Sequence, residues 1–294
     1  MEKHKIAIVG CEGMVGGSLK RYFQEKPNYK LFLYDIVGVG SMEEVNKADF
    51  IYVCVPTPYK GKCDTSILED VISKLDGEKI IIIKSTVIPG TTDRLQEQYK
   101  QHKFLFNPEF LTELTADQDA SFPDRQIVGY TEESYSIAGE VMLQLPLAPF
   151  ERIMPAAEAE MVKYAGNCWF AMKVAYANQL FDLCEKVDID YKAVLEGMSA
   201  DKRIGRTHLK IEHKGYRGYG GKCLPKDSKA LLHFAKENGI KLGIINEADV
   251  YNDELLKKQG LDPLDTDKGV ERKNDAVSYS SSKVLKVKYV PYEK

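Results

Sequence analysis

Paired cysteines are missing from this chain. Its six cysteines, at 11, 54, 63, 168, 184 and 223, stand apart with no CxxC spacing. That leaves neither a disulfide framework nor a zinc-ribbon pattern, and a reducing, cytoplasmic setting is expected. Long apolar runs are missing too. None approaches the ~20 residues needed to span a bilayer, and the short apolar stretch in MEKHKIAIVG reads as a strand rather than a signal peptide. A net charge of −3 carries no excess of either sign, which argues against nucleic acid or an acidic membrane as partner. There is no internal repeat. His208 and His213 share a loop, but no acidic or cysteine ligand stands at metal spacing from them, so no metal site is expected. What is present is an ordinary globular composition, 44% hydrophobic and 29% charged over 294 residues, enough for one large or two medium domains.

The first forty residues carry a recognisable unit. KIAIVG is a short buried-strand pattern, followed by Gly10, Gly13 and Gly16, the helical stretch GSLKRYFQEK, and a second strand, KLFLYD, ending at Asp35. Glycines in such a turn bring backbone N–H groups to a pyrophosphate at a helix N-terminus. Asp35 stands where an acid accepts hydrogen bonds from the adenosine ribose, and its charge repels a 2′-phosphate, so NAD is expected over NADP. The spacing is GxxGxxG, one residue longer than GxGxxG in its first turn.

Further strand–helix units follow: FIYVCVPTP (50–58), KIIIIKSTVIPGTT (79–92), FLFNPEFLTE (104–113), RQIVGY (125–130) and APFERIM (148–154). The alternation predicts a parallel, doubly wound, Rossmann-like sheet over 1–155. Ligands on such a sheet bind at the carboxyl ends of its strands, where Thr57, Thr86, Glu109 and Glu113 fall. The threonines serve equally well as turn and cap residues.

From Pro155 the pattern turns helical. A stretch of about thirty residues, 156–187, has no internal proline, and its apolar residues exceed what one domain face covers, which predicts a helical domain over 156–258 that forms a homodimer. Lys163 and Asn167, four apart, share one face of that helix. GYGGKCLPKD, at 218–227, then sets Gly220 and Gly221 before Cys223, and Pro225 opens a new helix. Adjacent glycines let a backbone approach a ligand. A cysteine at a helix N-terminus, beside Lys222 and Lys226, is expected to favour its thiolate. Asp227, in the first helical turn, stands ready to act on a proton or a water near the sulfur. Residues 259–294 read as a polar tail ending in an alternating apolar and basic segment.

GMVGGSL, PTPYKGK, IKSTVIPGTT, NPEFLTE, PDRQIVG, AEMVKYAGN, DKRIG and GYGGKCLPKD, in this order over roughly 5–230, resemble the UDP-glucose/GDP-mannose dehydrogenase family. The resemblance implies a twofold oxidation of a nucleotide-sugar C6 hydroxyl, most simply that of UDP-glucose, with two NAD. It implies Cys223 as nucleophile, Lys163 and Asn167 as stabilisers of the sugar oxygen, Glu109 and Asp227 as proton carriers, and Thr86 ordering the hydrolytic water. Asp35, Arg125 and Glu113 would contact NAD together with Gly10, Gly13, Gly16, Thr57 and Thr86. Phe110, Leu111, Tyr219, Gly220 and Gly221 would line the sugar site, and Arg203 would reach the sugar of a neighbouring subunit. Thr112 and Lys222 depart from common family residues. The stretch after the cysteine turn is too short for the family's third, nucleotide-holding domain, so either the nucleotide is held more loosely, a separate partner supplies the missing part, or the activity has changed. Two other readings stand beside this one. A β-hydroxyacid-type dehydrogenase needs a Lys/Asn pair, one oxidation and no cysteine. A non-catalytic NAD or nucleotide-sugar-binding protein needs no chemistry at all.

Overall fold

The structure, a computed structural model, describes residues 4–113 and 115–266. β1 (His4–Val9), α1 (Met14–Gln24) and β2 (Tyr29–Tyr34) form the opening unit. α2 (Met42–Val45), β3 (Phe50–Val53), α3 (Ser66–Ser73), β4 (Ile80–Ile83), α4 (Thr91–Gln98), β5 (Lys103–Phe106), α5 (Ala116–Ser121), β6 (Arg125–Tyr130), α6 (Tyr135–Gln144) and β7 (Phe150–Pro155) follow. The central strands, FIYV, IIII and KFLF, are near-continuous apolar runs because both of their faces are covered. One side of the sheet packs on α2, α3, α4 and the first turn of α7, through Val45, Leu68, Ile72, Leu95 and Ala156. The other packs on α1 and α6, through Leu19, Phe23, Ala138 and Val141.

The strand order is β2-β1-β3-β4-β5-β6-β7. It leaves β1 beside β3, with successive connections on opposite sides, and so opens a crevice at their carboxyl ends. β1 to β5 are parallel, as the strand–helix alternation predicts. β6 runs antiparallel to β5, and β7 parallel to β6. The reversal has a local cause. A parallel return needs a crossover to the far end of the sheet, but among the described residues the helix between β5 and β6 is the short α5. That helix docks on α1, where Asp117 accepts from Ser18 (2.9 Å) and Arg21. The chain therefore re-enters the sheet from the end at which β5 leaves it.

The helical half comprises α7 (Ala156–Lys186), α8 (Tyr191–Ser199), the hairpin β8 (Glu212–His213) and β9 (Tyr216–Arg217), α9 (Leu224–Glu237) and α10 (Gly243–Lys258). α7 springs directly from β7. A side chain at Gly129 would put its Cβ 2.9 Å from Ala156 Cα, so the glycine is what lets α7 seat on β6. One turn on, the buried carboxylate of Glu160 accepts from Gly90 N (2.6 Å), Thr92 N (2.9 Å) and Thr92 Oγ1 (2.6 Å). α7 thereby caps the N-terminus of α4 and ties the two halves together. The tail expected from residue 259 starts later among the described residues. Leu261 and Thr266 are buried against Tyr216 and Leu256, so 259–266 belong to the helical half. The remainder of that tail, 267–294, lies outside the described residues.

Candidate active site

Three loops at the carboxyl ends of β3, β4 and β5 meet one face of α7 and the head of α9. α7 presents Glu160, Lys163, Tyr164, Asn167 and Cys168 inward at helical spacing, all buried. Lys163 Nζ lies 2.7 Å from Glu109 Oε1, with both side chains less than a tenth exposed. The second Glu109 oxygen accepts Leu111 N–H at 2.8 Å, which locks the turn after β5. Asn167 Nδ2 donates to Asp227 Oδ2 at 2.5 Å, and Lys226 Nζ holds the other Asp227 oxygen. Asp227 is 1% exposed. Five residues from three distant stretches of sequence, Glu109, Lys163, Asn167, Lys226 and Asp227, thus form a buried ion pair and, beside it, a polar trio centred on Asp227, with Cys223 at the lip.

Cys223 is the N-cap of α9, with Leu224 and Pro225 starting the helix. The expectation of a preformed thiolate needs correction. The side chain reaches solvent, but the surrounding protein bulk, then the carboxylates of Asp227 and Glu109, push the thiol above its ordinary pKa, against the opposing pull of Lys163 and Lys226. Lys226 is paired with Asp227, whose carboxylate raises the thiol more than the ammonium lowers it. Burial works against Glu109 ionising, but Lys163, the Leu111 N–H and Lys84 outweigh it and hold the carboxyl below its ordinary value. A base that is ionised near neutrality therefore sits beside a thiol that keeps its proton.

The glycine turn has the geometry of an anion site. Gly10 adopts φ +82, and a Cβ there would meet Cys54 O at 2.5 Å. A Cβ at Gly16 would come within 2.1 Å of Gly10 O. Gly13 caps α1 with no side chain and no acid in the first turn, which leaves the helix N–H groups open to a diphosphate. Asp35, just past β2, accepts Glu12 N–H at 2.9 Å and so faces the same turn. These residues fit a dinucleotide with free ribose hydroxyls.

The other candidate residues divide. Thr57 is buried, and its hydroxyl donates to Thr86 O at 2.6 Å, a loop-to-loop tie at the ends of β3 and β4. Arg125 lies over the Phe110 ring, 3.8 Å from its centroid, beside Gly166 of α7. Glu113 pairs with Lys214 of the β8–β9 hairpin at 2.6 Å. Arg203 is 89% exposed and folds back on Asp201. The side chain of Tyr219 does not line the groove. It packs among Ala171, Val174 and Ala175 of α7, and its hydroxyl donates to Asp249 at 3.1 Å. The reason for the adjacent glycines is also corrected. A Cβ at Gly220 would strike Tyr216 OH at 2.4 Å and Thr266 Oγ1 at 2.5 Å, so that position is empty for the protein's own packing. Gly221 takes φ +74 and donates its N–H to Thr266 Oγ1 at 2.8 Å. Sequence reasoning missed Asn252, which holds both backbone groups of Tyr219, and Thr266. Nothing local marks either of them. It also missed Lys84, for which a signal existed: a lysine ends the all-isoleucine run of β4.

A sheet with an open glycine turn at the head of α1, joined to a helical half that closes a cysteine, a lysine and an asparagine over its edge, defines a two-domain dinucleotide-binding protein of the dehydrogenase type. Comparison with known proteins makes the assignment specific: the chain belongs to the UDP-glucose/GDP-mannose dehydrogenase family, whose NAD-binding domain matches residues 37–145 and whose central domain matches 157–254. The UDP-glucose 6-dehydrogenase of Rickettsia bellii is 33% identical over 249 residues, 80% of this chain and 56% of that protein. The enzyme of the same name from Pseudomonas aeruginosa is 35% identical over 232 residues, 71% of this chain and 49% of that one. The chain thus spans about half the length of these curated relatives. Among solved structures, a UDP-glucose dehydrogenase from Pyrobaculum islandicum superposes with a TM-score of 0.74 at 25% identity, covering 87% of this chain and 71% of that one.

Proposed function

We propose that this chain oxidises the C6 hydroxyl of a nucleotide sugar, UDP-glucose first among them, to a carboxylate in two steps, with Cys223 holding the sugar between them. The observation that carries this reading is the convergence of Cys223 with the Lys163–Glu109 and Asn167–Asp227 pairs. The Gly10–Gly16 turn and Asp35 would hold NAD, with Thr57, Thr86, Glu113 and Arg125 as further contacts, and NAD would supply the hydride acceptor for each oxidation.

In the first step Glu109 accepts the hydroxyl proton as hydride leaves C6, and Lys163 stabilises the developing oxyanion. Because the thiol is not ionised beforehand, its proton passes to Glu109 or Asp227 as sulfur attacks the aldehyde carbon, giving a thiohemiacetal. Loss of the second hydride from that carbon leaves a thioester on Cys223. Water, deprotonated by Asp227 or Glu109 and ordered at Thr86, adds to the thioester carbonyl, and the carbon–sulfur bond breaks to give carboxylate and free thiol. On this reading Lys163 and Asn167 stabilise the oxyanion of that tetrahedral step. A β-hydroxyacid-type oxidation would stop after one hydride and leave Cys223 idle. The deciding measurement is NADH released per sugar consumed across a panel of nucleotide sugars. Two per sugar is expected, one points to the hydroxyacid-type reaction, and none with any sugar points to a binding protein or a partner still to be added.

The acid at Asp35 sets cofactor choice. NAD is expected to be preferred to NADP by at least about tenfold, roughly 1.4 kcal/mol, because the carboxylate repels a 2′-phosphate. The kcat/KM values for the two cofactors check this, and equality would remove the role given to Asp35. The chain works as a homodimer on this reading. α7 and its C-cap leave Met161, Trp169, Tyr176, Leu183 and Val187 exposed at helical spacing, a stripe that a second copy would cover. Arg203, folded back on Asp201 in this structure, would have to turn outward to reach such a copy.

A further inference from the structure

Lys84 ends β4 on its ligand-facing side and is only 8% exposed. A buried ammonium is costly unless it is bonded and faces an opposite charge. Its hydrogen bonds go to Asn107, at Oδ1 and, at 3.4 Å, at the main-chain oxygen. Asn107 is completely buried and is itself bound to both neighbouring strands. Its N–H donates to Ile83 O at 2.9 Å, and its amide donates to Ile127 O at 2.7 Å and Gln126 Oε1 at 3.2 Å. The lysine therefore fastens the point where the sheet reverses between β5 and β6. Two residues further on stands Glu109, whose own bonds to Lys163 and to the Leu111 N–H fix the other end of the same turn. The ionisable groups that face Glu109 are Lys163 from α7, Lys84 from β4, Cys54 from the end of β3 and Cys223 from the head of α9.

We infer that Lys84 is a positioning residue for the proposed oxidation: anchored on Asn107, it holds the 107–111 turn so that Glu109 faces Lys163 and Cys223. Burial disfavours the lysine's charge, and the carboxylate of Glu109 supports it, which makes the two groups mutual counter-charges.

This inference rests on the function proposed above, so its test has one arm that needs catalysis and one that does not. The variant is Lys84→Met, which keeps the length of the side chain and removes the charge. In the full chain, kcat is expected to fall at least tenfold, with the KM values for NAD and sugar within about twofold. The acid limb of kcat/KM against pH should move up by about one unit, a tenfold change in the protonation of Glu109. A variant that loses rate while its acid limb stays in place shows a merely structural lysine and overturns the inference, as does an unchanged rate. The second arm is hydrogen exchange at the Leu111 amide, read without substrate. It should speed up at least tenfold in Lys84→Met while exchange in α1 and β1 stays as in the wild type, and unchanged exchange at Leu111 overturns the inference even if the wild type oxidises no sugar. If methionine at position 84 does not fold, Asn107→Asp is read instead. That variant gives Lys84 a carboxylate of its own, so the acid limb should again move up as the lysine's charge is drawn from Glu109, and a fixed limb counts against the inference.

Discussion

With Cys223 replaced by serine, the chain is expected to stop between its two oxidations. Wild type should release two NADH per sugar. Cys223→Ser should release one or fewer, with overall turnover down by at least roughly a hundredfold, since a serine alkoxide is scarce near neutral pH. An oxygen ester is also cleaved less readily than a thioester, so a covalent or tightly held sugar adduct should appear in the intact-protein mass. The raised thiol sharpens this expectation. With no preformed thiolate, the proposed attack by sulfur already needs Glu109 or Asp227 to take the thiol proton, and a serine in the same place asks far more of the same bases. Cys11→Ser and Cys184→Ser should leave the stoichiometry at two, because both thiols are buried away from the α9 head, in the sheet core and under α8. Two NADH per sugar from Cys223→Ser at an undiminished rate would sink the thioester route.

Lys163→Met is expected to damage stability and rate together. It removes one partner of a buried ion pair and leaves Glu109 at 8% exposure facing a methyl group. Breaking such a pair from one side costs about 3–5 kcal/mol, a fall in Tm of roughly 10 °C for a domain of this size. Lys84, the remaining cation near Glu109, sets the loss toward the lower end of that range. Loss of an oxyanion stabiliser removes a further ~10²–10³ in kcat. The double variant Lys163→Met/Glu109→Gln separates the two effects. It no longer buries an unpaired charge, so its Tm should recover most of the loss, while its rate should stay low because the cation that stabilises the oxyanion and the base that takes the proton are both gone. A single variant that keeps more than a tenth of wild-type kcat would show that Lys163 serves the fold alone, and a double variant as unstable as the single one would show that the ion pair is not what stabilises this corner.

Much of this molecule is written in short stretches of chain. The apolar runs IAIV, FIYV and IIII, the glycine turn at 10–16 and Asp35 after KLFLYD are local patterns, so the dinucleotide fold and its site can be read residue by residue. The same holds for Lys163 and Asn167 on one helix face, and for Cys223 at the head of α9. The direction of β6 was not legible, because it turns on where a six-residue helix docks, and Asp117 finds Ser18 and Arg21 only once α1 is folded. The state of Cys223 was not legible either. Local rules place it at a positive helix end, but its pKa is set by burial and by carboxylates from residues 109 and 227, which only packing brings near. Gly220 looked like an opening for a ligand and is an opening for Thr266, 46 positions away. The sequence by itself determined which groups are available and the order of the elements, since hydrophobic period and turn chemistry act over a few residues. Only the tertiary structure decided which charges meet in the interior, because burial and pairing depend on distances that no span of neighbouring residues encodes.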